Sequence, residues 1–408
     1  MTLKLWLRAG RVMLLLSLLT GSLGAARTTI TFWHSMESSE QAVLTLAESF
    51  NAAQDEYHVD ARYIGSYNDA QTRLVAALGT PTQPTLFQAE IAFFPRLAEE
   101  GAAQDLSDLV ATLEGAFIDD FYPGLWSYGE MHGGRYGLPW NSSTPVLFYN
   151  ATALRQHGVE VPTTWEEFKE AVGLLTSRRA QGLVFVTDSW LFELMVTTRG
   201  GRLVGADGNP NFTSPEAIEA LEMLKRLADR RQLAVYAPAD TTPAMLGFIR
   251  TRTLMAFASI ANWPDVHRFA IAFDIGAAPV PTGGSPAVPL GGAQLVVMRG
   301  AGEAERQGAF EFWRFLMEPE NIAEWVRASY YIPLRRAALP LLQDWYQEDP
   351  NRGAALEQLE HAVPRPRVGE FSTWRRYLDE ALERALRGGT GAEAALAEAQ
   401  RRAMEDVR

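Results

Sequence analysis

Hydrophobic residues recur along the chain in two alternating patterns. Between Val43 and Phe50 the apolar residues stand three and four positions apart, which is the spacing of one helix face. From Val59 to Tyr63 they alternate with polar residues, as they do along a strand. Further strands and helices follow in turn, and nearly everything from Phe310 onward has helical spacing. This alternation predicts an α/β protein with mainly parallel sheets and a helical C-terminus.

Two helix starts are marked by paired polar residues. Ser38 with Gln41 and Thr164 with Glu167 each have the spacing of a capping box, in which a hydroxyl and a side chain three residues on satisfy free backbone N–H groups. We expect a helix to begin at each of these pairs.

The first residues have the character of an export signal. Lys4, Arg8 and Arg11 surround the start of an apolar run, and small residues follow as far as Ala26. The run is shorter than the roughly 20 residues that a bilayer crossing needs. Residues 1–26 are therefore predicted to be a signal peptide, and an exported protein to begin near Ala25 or Arg27. The alternative is an N-terminal membrane anchor.

Charge excludes several classes of partner. Of 37 basic residues three lie in residues 1–26 and none of the 49 acidic ones does, so the rest carries 34 against 49, a net charge of −15. So acidic a chain is not expected to bind nucleic acid or anionic membranes. It has no cysteine, which excludes disulfides and a thiol-linked lipid. Six scattered histidines lack ligand spacing, so we expect no metal and no cofactor.

Motifs of catalysis are also missing from the sequence. It has no G-x-S-x-G, no H-E-x-x-H and no phosphate loop. Pairs of acidic residues suited to glycoside hydrolysis are available in any chain this acidic, and nothing distinguishes one of them. A binding function is therefore favoured over an enzymatic one.

Polar and aromatic residues gather where predicted strands end. Trp33, His34 and Ser35 follow the first strand, where they could face a ligand or merely cover the core. Other strand ends carry further aromatic rings, hydroxyls and bare backbone: "GSYNDA", "WNSSTP", "FASIANW", "LGGAQL" and "SYYIPLRR". Such a set suits a small polyhydroxylated ligand, since rings cover its apolar faces and hydroxyls meet its polar edges.

Several of these runs together resemble a known family. "TTITFWHSM", "GLPWNSSTPVLFYN", "LGGAQLVVM" and "YYIPLRR" are similar to segments of the extracellular solute-binding proteins of ABC importers, in the group that includes maltose-binding protein. The Phe32–Glu37 run most resembles the members that bind glycerol-3-phosphate.

The resemblance implies a fold and a site. The fold is the two-lobe, type II periplasmic-binding-protein fold, with the chain crossing between lobes near residues 138–144, 281–291 and 333–338. Lobe 1 would comprise residues 27–140 and 291–335, and lobe 2 residues 141–290 and 336–408. The positions that match the family's ligand residues are Tyr67, Ser143, Ser259, Gly292, Tyr331 and Arg375.

Three further assignments follow from the same resemblance. Glu90 stands one position before the family's glutamate, where Ile91 is the strict match, and Trp190 is a candidate from lobe 2. Trp33, His34 and Ser35 are expected in the cleft wall. Arg375 would meet a phosphate; its alternative is a surface salt bridge with Asp379, four residues on in the same helix.

The function implied is transport. An exported, periplasmic or cell-surface monomer would capture glycerol-3-phosphate or a glycerophosphodiester such as glycerophosphocholine, close over it, and dock transiently on a membrane permease. The same fold binding a neutral sugar or oligosaccharide is the first alternative, and a secreted carbohydrate-active enzyme is the second.

Overall fold

The computed structural model describes residues 27–407, so the predicted signal peptide lies outside the described residues. The strands are β1 Thr28–His34, β2 Tyr57–Tyr63, β3 Leu86–Glu90, β4 Glu130–Met131, β5 Gly134–Arg135, β6 Leu138–Ser143, β7 Pro145–Asn150, β8 Gln181–Val186, β9 Leu233–Tyr236, β10 Thr253–Ser259, β11 Ile275–Ala278, β12 Val288–Pro289, β13 Gly291–Val297 and β14 Ala362–Val363.

Helices fill most of the remaining chain. They are α1 Glu40–Ala53, α2 Tyr67–Ala77, α3 Phe94–Glu99, α4 Ser107–Val110, α5 Gly115–Asp119, α6 Pro123–Ser127, α7 Ala151–His157, α8 Trp165–Leu175, α9 Ser189–Thr197, α10 Pro215–Asp229, α11 Thr241–Ile249, α12 Trp263–Phe269, α13 Glu303–Leu316, α14 Pro319–Ser329, α15 Leu339–Glu348, α16 Ala354–Glu357, α17 Phe371–Leu386 and α18 Ala392–Asp406. Short 3-10 helices occupy Pro238–Asp240, Ile260–Asn262, Arg336–Ala338, Pro350–Gly353 and Leu359–His361. None of the described helices combines the length and apolar character that a bilayer crossing requires.

Two five-stranded sheets organise the two lobes. The first has the order β2-β1-β3-β13-β6 and the second the order β11-β7-β10-β8-β9. In each sheet the early βα strands pair in parallel, whereas β13 in the first sheet and β7 in the second run antiparallel to their neighbours. The α/β prediction is confirmed, but the sheets are mixed rather than mainly parallel. Strands that enter a sheet after the chain returns from the other lobe need not keep the direction of a βα repeat.

The buried apolar residues form two large clusters, and the second sheet packs against both of them. In the first lobe Phe32 and Phe87 are fully buried beneath α1 and α13, and Trp313 donates its indole N–H to the carbonyl of Pro139 at 2.9 Å. In the second lobe Phe185 and Trp374 lie in a core built from α9, α10, α17 and α18. The first cluster also includes Phe148 and Trp263 of the second lobe, so apolar packing is continuous between the two sheets.

The chain passes between the sheets on several segments. Thr144 separates β6 of the first sheet from β7 of the second, and Leu290 separates β12 from β13. Beyond residue 335, α15 still packs against α14 through a small cluster that contains Val326 and Leu342. The chain therefore reaches the second sheet only near residue 350, later than the predicted crossing at 333–338. The division of residues between lobes stays a prediction.

A small parallel pair ties two of these passages together. β12 and β14 pair through Val288 with Ala362 and Pro289 with Val363. β14 also packs on α6 of the first lobe, and the carbonyl oxygen of Ala362 lies so near Gly124 that a Cβ there would stand 2.3 Å from it.

The two predicted capping boxes differ in outcome. Thr164 accepts from the backbone N–H of Glu167 at 3.2 Å, and the Glu167 carboxylate accepts from the N–H of Thr164 in return, which confirms the second box. The first prediction is wrong: α1 begins at Glu40 after Ser39, which makes no capping bond with its side chain. The helix starts one residue later than a cap at Ser38 would require.

Candidate functional site

A cavity of about 650 Å³ lies where the strand ends of the two lobes face each other. It is lined by every residue that the sequence analysis assigned to ligand contact, including Glu90 at the end of β3 and Arg375 in the second turn of α17. The full set is Tyr67, Glu90, Ser143, Trp190, Ser259, Gly292, Tyr331 and Arg375. The fold brings these residues to one cavity although they are up to 308 positions apart in the sequence, from 67 to 375.

The first lobe holds Tyr67 by a chain of buried amides. The backbone N–H of Ser35 donates to Gln88 Oε1 at 2.6 Å, Gln88 Nε2 donates to Asn141 Oδ1 at 2.8 Å, and Asn141 Nδ2 donates to the Tyr67 hydroxyl at 2.9 Å. Burial raises the pKa of Tyr67 well above its usual value, so the hydroxyl stays protonated and can itself donate into the cavity.

The opening segment lies behind this wall. Trp33 and His34 belong to β1, and Ser35 starts the following loop; none of the three lines the cavity. His34 is fully buried, and this burial lowers its pKa to about 4, so its ring is neutral. The backbone N–H of Ser35 begins the chain of hydrogen bonds that reaches Tyr67. Contact of Trp33, His34 or Ser35 with a ligand stays a prediction, and the geometry gives them a place in the layer that supports the wall.

Tyr331 is positioned by the end of α14. The helix ends at Tyr330, whose φ of 60° turns the chain, and the next ring stacks on Trp325 with centroids 5.9 Å apart. The N–H of Ile332 then donates to the carbonyl of Ser142 at 3.0 Å, which holds the Tyr331 loop against β6. The result is a rigid aromatic face beside Ser143.

Gly292 lies where only a glycine fits. Its φ is +104°, and a Cβ built on it would stand 1.8 Å from the carbonyl oxygen of Asn141. The register between β13 and β6 shifts just after it, between Gly292 and Gln294. Its own carbonyl accepts from the N–H of Ile91 at 2.9 Å, which fixes the chain next to Glu90.

The second lobe contributes Trp190 and Ser259 from two strand ends. Trp190 starts α9, its indole N–H donates to the carbonyl of Leu290 at 3.1 Å, and its ring closely approaches Gly291. Ser259 ends β10, and its hydroxyl accepts from the N–H of Ala261 at 3.2 Å. The Ser259 hydroxyl keeps its proton free to donate.

Four acidic and basic side chains form a chain of close contacts across the cavity floor. Arg375 Nη1 lies 3.0 Å from Glu90 Oε2, Arg365 Nη1 lies 3.4 Å from Glu90 Oε1, and Arg365 Nε donates to Glu193 Oε2 at 2.8 Å. Arg365 and Glu193 are buried, and Glu90 nearly so. Burial raises the pKa of Glu193, with Arg365 opposing the shift; burial alone would lower the pKa of Arg365, but Glu193 and Glu90 raise it overall.

The geometry distinguishes the predicted alternatives for Glu90 and Arg375. Ile91 is buried and bonded through its backbone, whereas Glu90 reaches the cavity. Arg375 forms its ion pair with Glu90 of the other lobe, and Asp379 accepts from the backbone N–H of Ser189 at 2.6 Å instead. The surface salt bridge between Arg375 and Asp379 is thus not formed.

A pair of carboxylates completes the wall of the second lobe. Asp188 caps α9 by accepting from the N–H groups of Trp190 and Leu191, and Asp379 faces it from α17. Burial and then the charge of Asp188 raise the pKa of Asp379 to about 7.

The sequence reasoning missed Arg365, Glu193, Asp188 and Asp379. Arg365 carried one usable signal: it stands between Pro364 and Pro366, which hold the backbone extended and exclude a helix face as its place. Glu193 gave none, because an acidic residue inside a helix is most often solvated. Among residues 27–407 no group of acidic or histidine side chains has the arrangement of a metal site. Guanidinium, hydroxyl and carboxylate groups around one cavity can bind a small polar anion with hydroxyls.

Comparison with known proteins places this architecture. The sequence model of the family described as bacterial extracellular solute-binding protein matches residues 45–354. The chain is 28% identical to the sn-glycerol-3-phosphate-binding periplasmic protein UgpB of Escherichia coli K12, over 89% of each chain. Two solved structures share the fold: UgpB of Mycobacterium tuberculosis in complex with glycerophosphocholine (24% identity, TM-score 0.82, 92% and 97% coverage) and the sugar-binding protein MalE of Xanthomonas citri (22%, 0.83, 93% and 97%).

Proposed function

Because the chain belongs to the family of bacterial extracellular solute-binding proteins, we propose that its cavity captures glycerol-3-phosphate or a glycerophosphodiester such as glycerophosphocholine. Members of this family are exported solute-binding components of ABC importers, dock on a membrane permease, and are not enzymes. The choice of ligand and the action of this chain as a monomer belong to the proposal.

One observation supports the choice of ligand above the others. The Arg375 guanidinium and the Glu90 carboxylate face one cavity from opposite lobes, 3.0 Å apart. A phosphate needs a planar cation with several donors, and a glycerol unit needs an acceptor for its hydroxyls. A glycerol phosphate offers both complements within a few bonds, so its phosphate would take Arg375 while its hydroxyls take Glu90.

The other lining groups fit the same ligand. The hydroxyls of Ser143 and Ser259 and the bare backbone of Gly292 can donate to phosphate oxygens. Tyr67 and Tyr331 cover the carbon skeleton and offer protonated hydroxyls. Since these groups come from both lobes, a bound ligand would favour the closed state over the open one by hinge motion.

The relatives include proteins named for phosphate esters and for sugars, so they do not identify the ligand by themselves. One relative is named for glycerol-3-phosphate, one solved structure holds glycerophosphocholine, and another is a sugar-binding protein. The fold alone therefore allows phosphate esters and sugars. Three arginines line the cavity, Arg365, Arg375 and Arg376, and their guanidiniums favour the phosphate ester, because a neutral sugar offers no charge to offset the cost of placing cations there.

Calorimetric titration of the exported chain with sn-glycerol-3-phosphate, glycerophosphocholine, glycerol and maltose tests the proposal. We expect both phosphate esters to bind and maltose not to. Arg375→Ala should weaken phosphate-ester binding by about 10- to 150-fold, the value of a charge-assisted hydrogen bond. Arg375→Lys should recover only part of the loss, because an ammonium lacks the planar fork.

Arg384→Ala is the matched control, since Arg384 lies on the same helix, is exposed and does not line the cavity. It should bind as the wild type does. Tight maltose binding with no response to phosphate esters would replace the proposal by a sugar-binding function. Unchanged phosphate-ester affinity in Arg375→Ala would remove Arg375 from the site.

A further inference from the structure

Arg365 is a buried cation with bonding capacity left over. Its side chain is only 3% exposed and lines the ligand cavity. Nε donates to Glu193 at 2.8 Å, and Nη1 makes a long contact of 3.4 Å with Glu90. Nη2 has no partner among the described residues. A guanidinium carries five N–H donors, so the outer edge of this one is largely unused.

Such an edge is costly to leave unsatisfied. Buried donors are nearly always bonded, and those on a charged group carry the largest penalty when they are not. The 3.4 Å contact is at the outer limit of a hydrogen bond and can be exchanged for a better one at little cost. Because Arg365 lines the cavity, a ligand bound there can supply a partner for its η nitrogens.

The surroundings fix this guanidinium in place. Glu193 lies on α9 of the second lobe, and Glu90 ends β3 of the first. The segment that carries Arg365 is anchored to the first lobe, where the N–H of Gly369 donates to Glu99 at 3.0 Å and Arg367 donates to the carbonyl of Ser127 at 3.0 Å. Arg365 therefore has little freedom to leave the cavity.

Glu90 is shared between two guanidiniums, with Arg365 on Oε1 and Arg375 on Oε2. If the carboxylate turns towards the hydroxyls of a glycerol unit, both cations lose the same partner together. The space between them is then bordered by two guanidiniums with free N–H donors. An anion with at least two free oxygens can accept hydrogen bonds from both. Phosphate monoesters and diesters both have these oxygens.

We propose that Arg365 is a second phosphate-binding residue of this site, donating from an η nitrogen to a ligand oxygen opposite Arg375. Glu193 acts as a positioning residue that orients the guanidinium without touching the ligand. The inference rests on the proposed function, and it assigns to Arg365 the discrimination of phosphate esters from neutral polyols.

The test removes the buried ion pair as a unit. Arg365→Ala alone would leave Glu193 as an uncompensated buried charge, so Arg365→Gln is combined with Glu193→Gln. We expect this double variant to lose about 10- to 150-fold in affinity for sn-glycerol-3-phosphate. Glu193→Gln alone keeps the Arg365 guanidinium and should lose only a few-fold in affinity. If the ion pair were merely structural, the single and the double variant would not differ in this way.

A matched control removes a surface pair of the same kind. Glu398 and Arg401 form an exposed ion pair at 2.7 Å on α18, far from the cavity lining. Glu398→Gln with Arg401→Gln should bind as the wild type does. Thermal melting of all variants shows whether they are folded.

The outcomes separate the two proposals. If the wild type binds no phosphate ester, the proposed function fails, and the role of Arg365 fails with it. If the wild type binds and the Arg365→Gln, Glu193→Gln variant keeps its affinity, the inference alone is overturned. If that variant does not fold, a crystal structure of the wild type with sn-glycerol-3-phosphate decides. An Arg365 η nitrogen within about 3.2 Å of a phosphate oxygen is expected, and none within about 4 Å would overturn the inference.

Discussion

Replacing Gly292 by alanine should damage the junction of the two lobes more than any other single methyl group would. A Cβ at this position would stand 1.8 Å from the Asn141 carbonyl oxygen, 2.8 Å from its carbon and 2.9 Å from the Cα of Ser142. All three are backbone atoms of β6, so no side-chain rotation can relieve the overlap. Strand β13 must move away from β6, or the turn of the chain at φ +104° must change.

The size of the effect follows from two terms. A non-glycine residue at strongly positive φ costs about 1–2 kcal/mol. Forcing an extra carbon into a closed space costs about 1–3 kcal/mol more. Gly292→Ala should therefore lower the free energy of unfolding by about 2–5 kcal/mol, a large part of the 5–15 kcal/mol typical of folded proteins. Affinity should fall too, because Ser143 and Glu90 are held through this strand.

Equilibrium unfolding in urea, followed by tryptophan fluorescence, measures the change. Gly115→Ala is the control, because Gly115 begins α5 and a Cβ there meets no atom within 4 Å. It should leave stability unchanged or raise it by up to about 1 kcal/mol. A Gly292→Ala protein within about 0.5 kcal/mol of the wild type would refute the reasoning, since surface substitutions commonly fall in that range.

Two further predictions concern protons and motion. The pKa of Asp379 is raised to about 7, so between its ordinary pKa and pH 7 the folded state keeps a proton that the unfolded state releases. The free energy of unfolding should therefore fall as pH rises towards 7, by up to about 1.4 kcal/mol per pH unit, and level off above pH 7. Asp379→Asn should flatten this slope in urea unfolding from pH 5 to 8, and an identical slope would contradict the assignment. Saturating sn-glycerol-3-phosphate should reduce the radius of gyration in small-angle scattering, but should have less effect on Arg375→Ala at the same ligand concentration. An unchanged wild-type profile would count against a closing cleft.

Local patterns predicted the elements of this fold well where one physical rule dominated. The Thr164 cap was predicted because Glu167 has the right spacing, although Thr163 and Glu166 have the same spacing one residue earlier. The Ser38 cap was not formed: the helix begins after Ser39, whose side chain makes no capping bond, so the capping pattern alone did not determine this start. The antiparallel direction of β13 could not be predicted, because it depends on where the chain returns from the other lobe.

The site divides in the same way. Residues at strand ends, such as Ser259 and Gly292, were predictable because strand ends of α/β sheets gather at one cleft. The ion chain through Arg365 and Glu193 was not, because its partners are 172 positions apart and only the fold shows that both are buried. Asp379 looked like the helical neighbour of Arg375, and its bond to Ser189 appears only when α17 packs on α9.

The small pairing of β12 with β14 limits how the lobes can move. The two passages are bonded through Val288 and Ala362, with β14 packed on α6 and β12 on α9, so we expect them to bend together. Twisting or sliding of one lobe past the other would have to break that pairing, whereas rotation about a line through it would not. We therefore expect the lobes to open mainly by rotation about that line. A permease that senses the closed state would then read one angle, whichever ligand brought the lobes together.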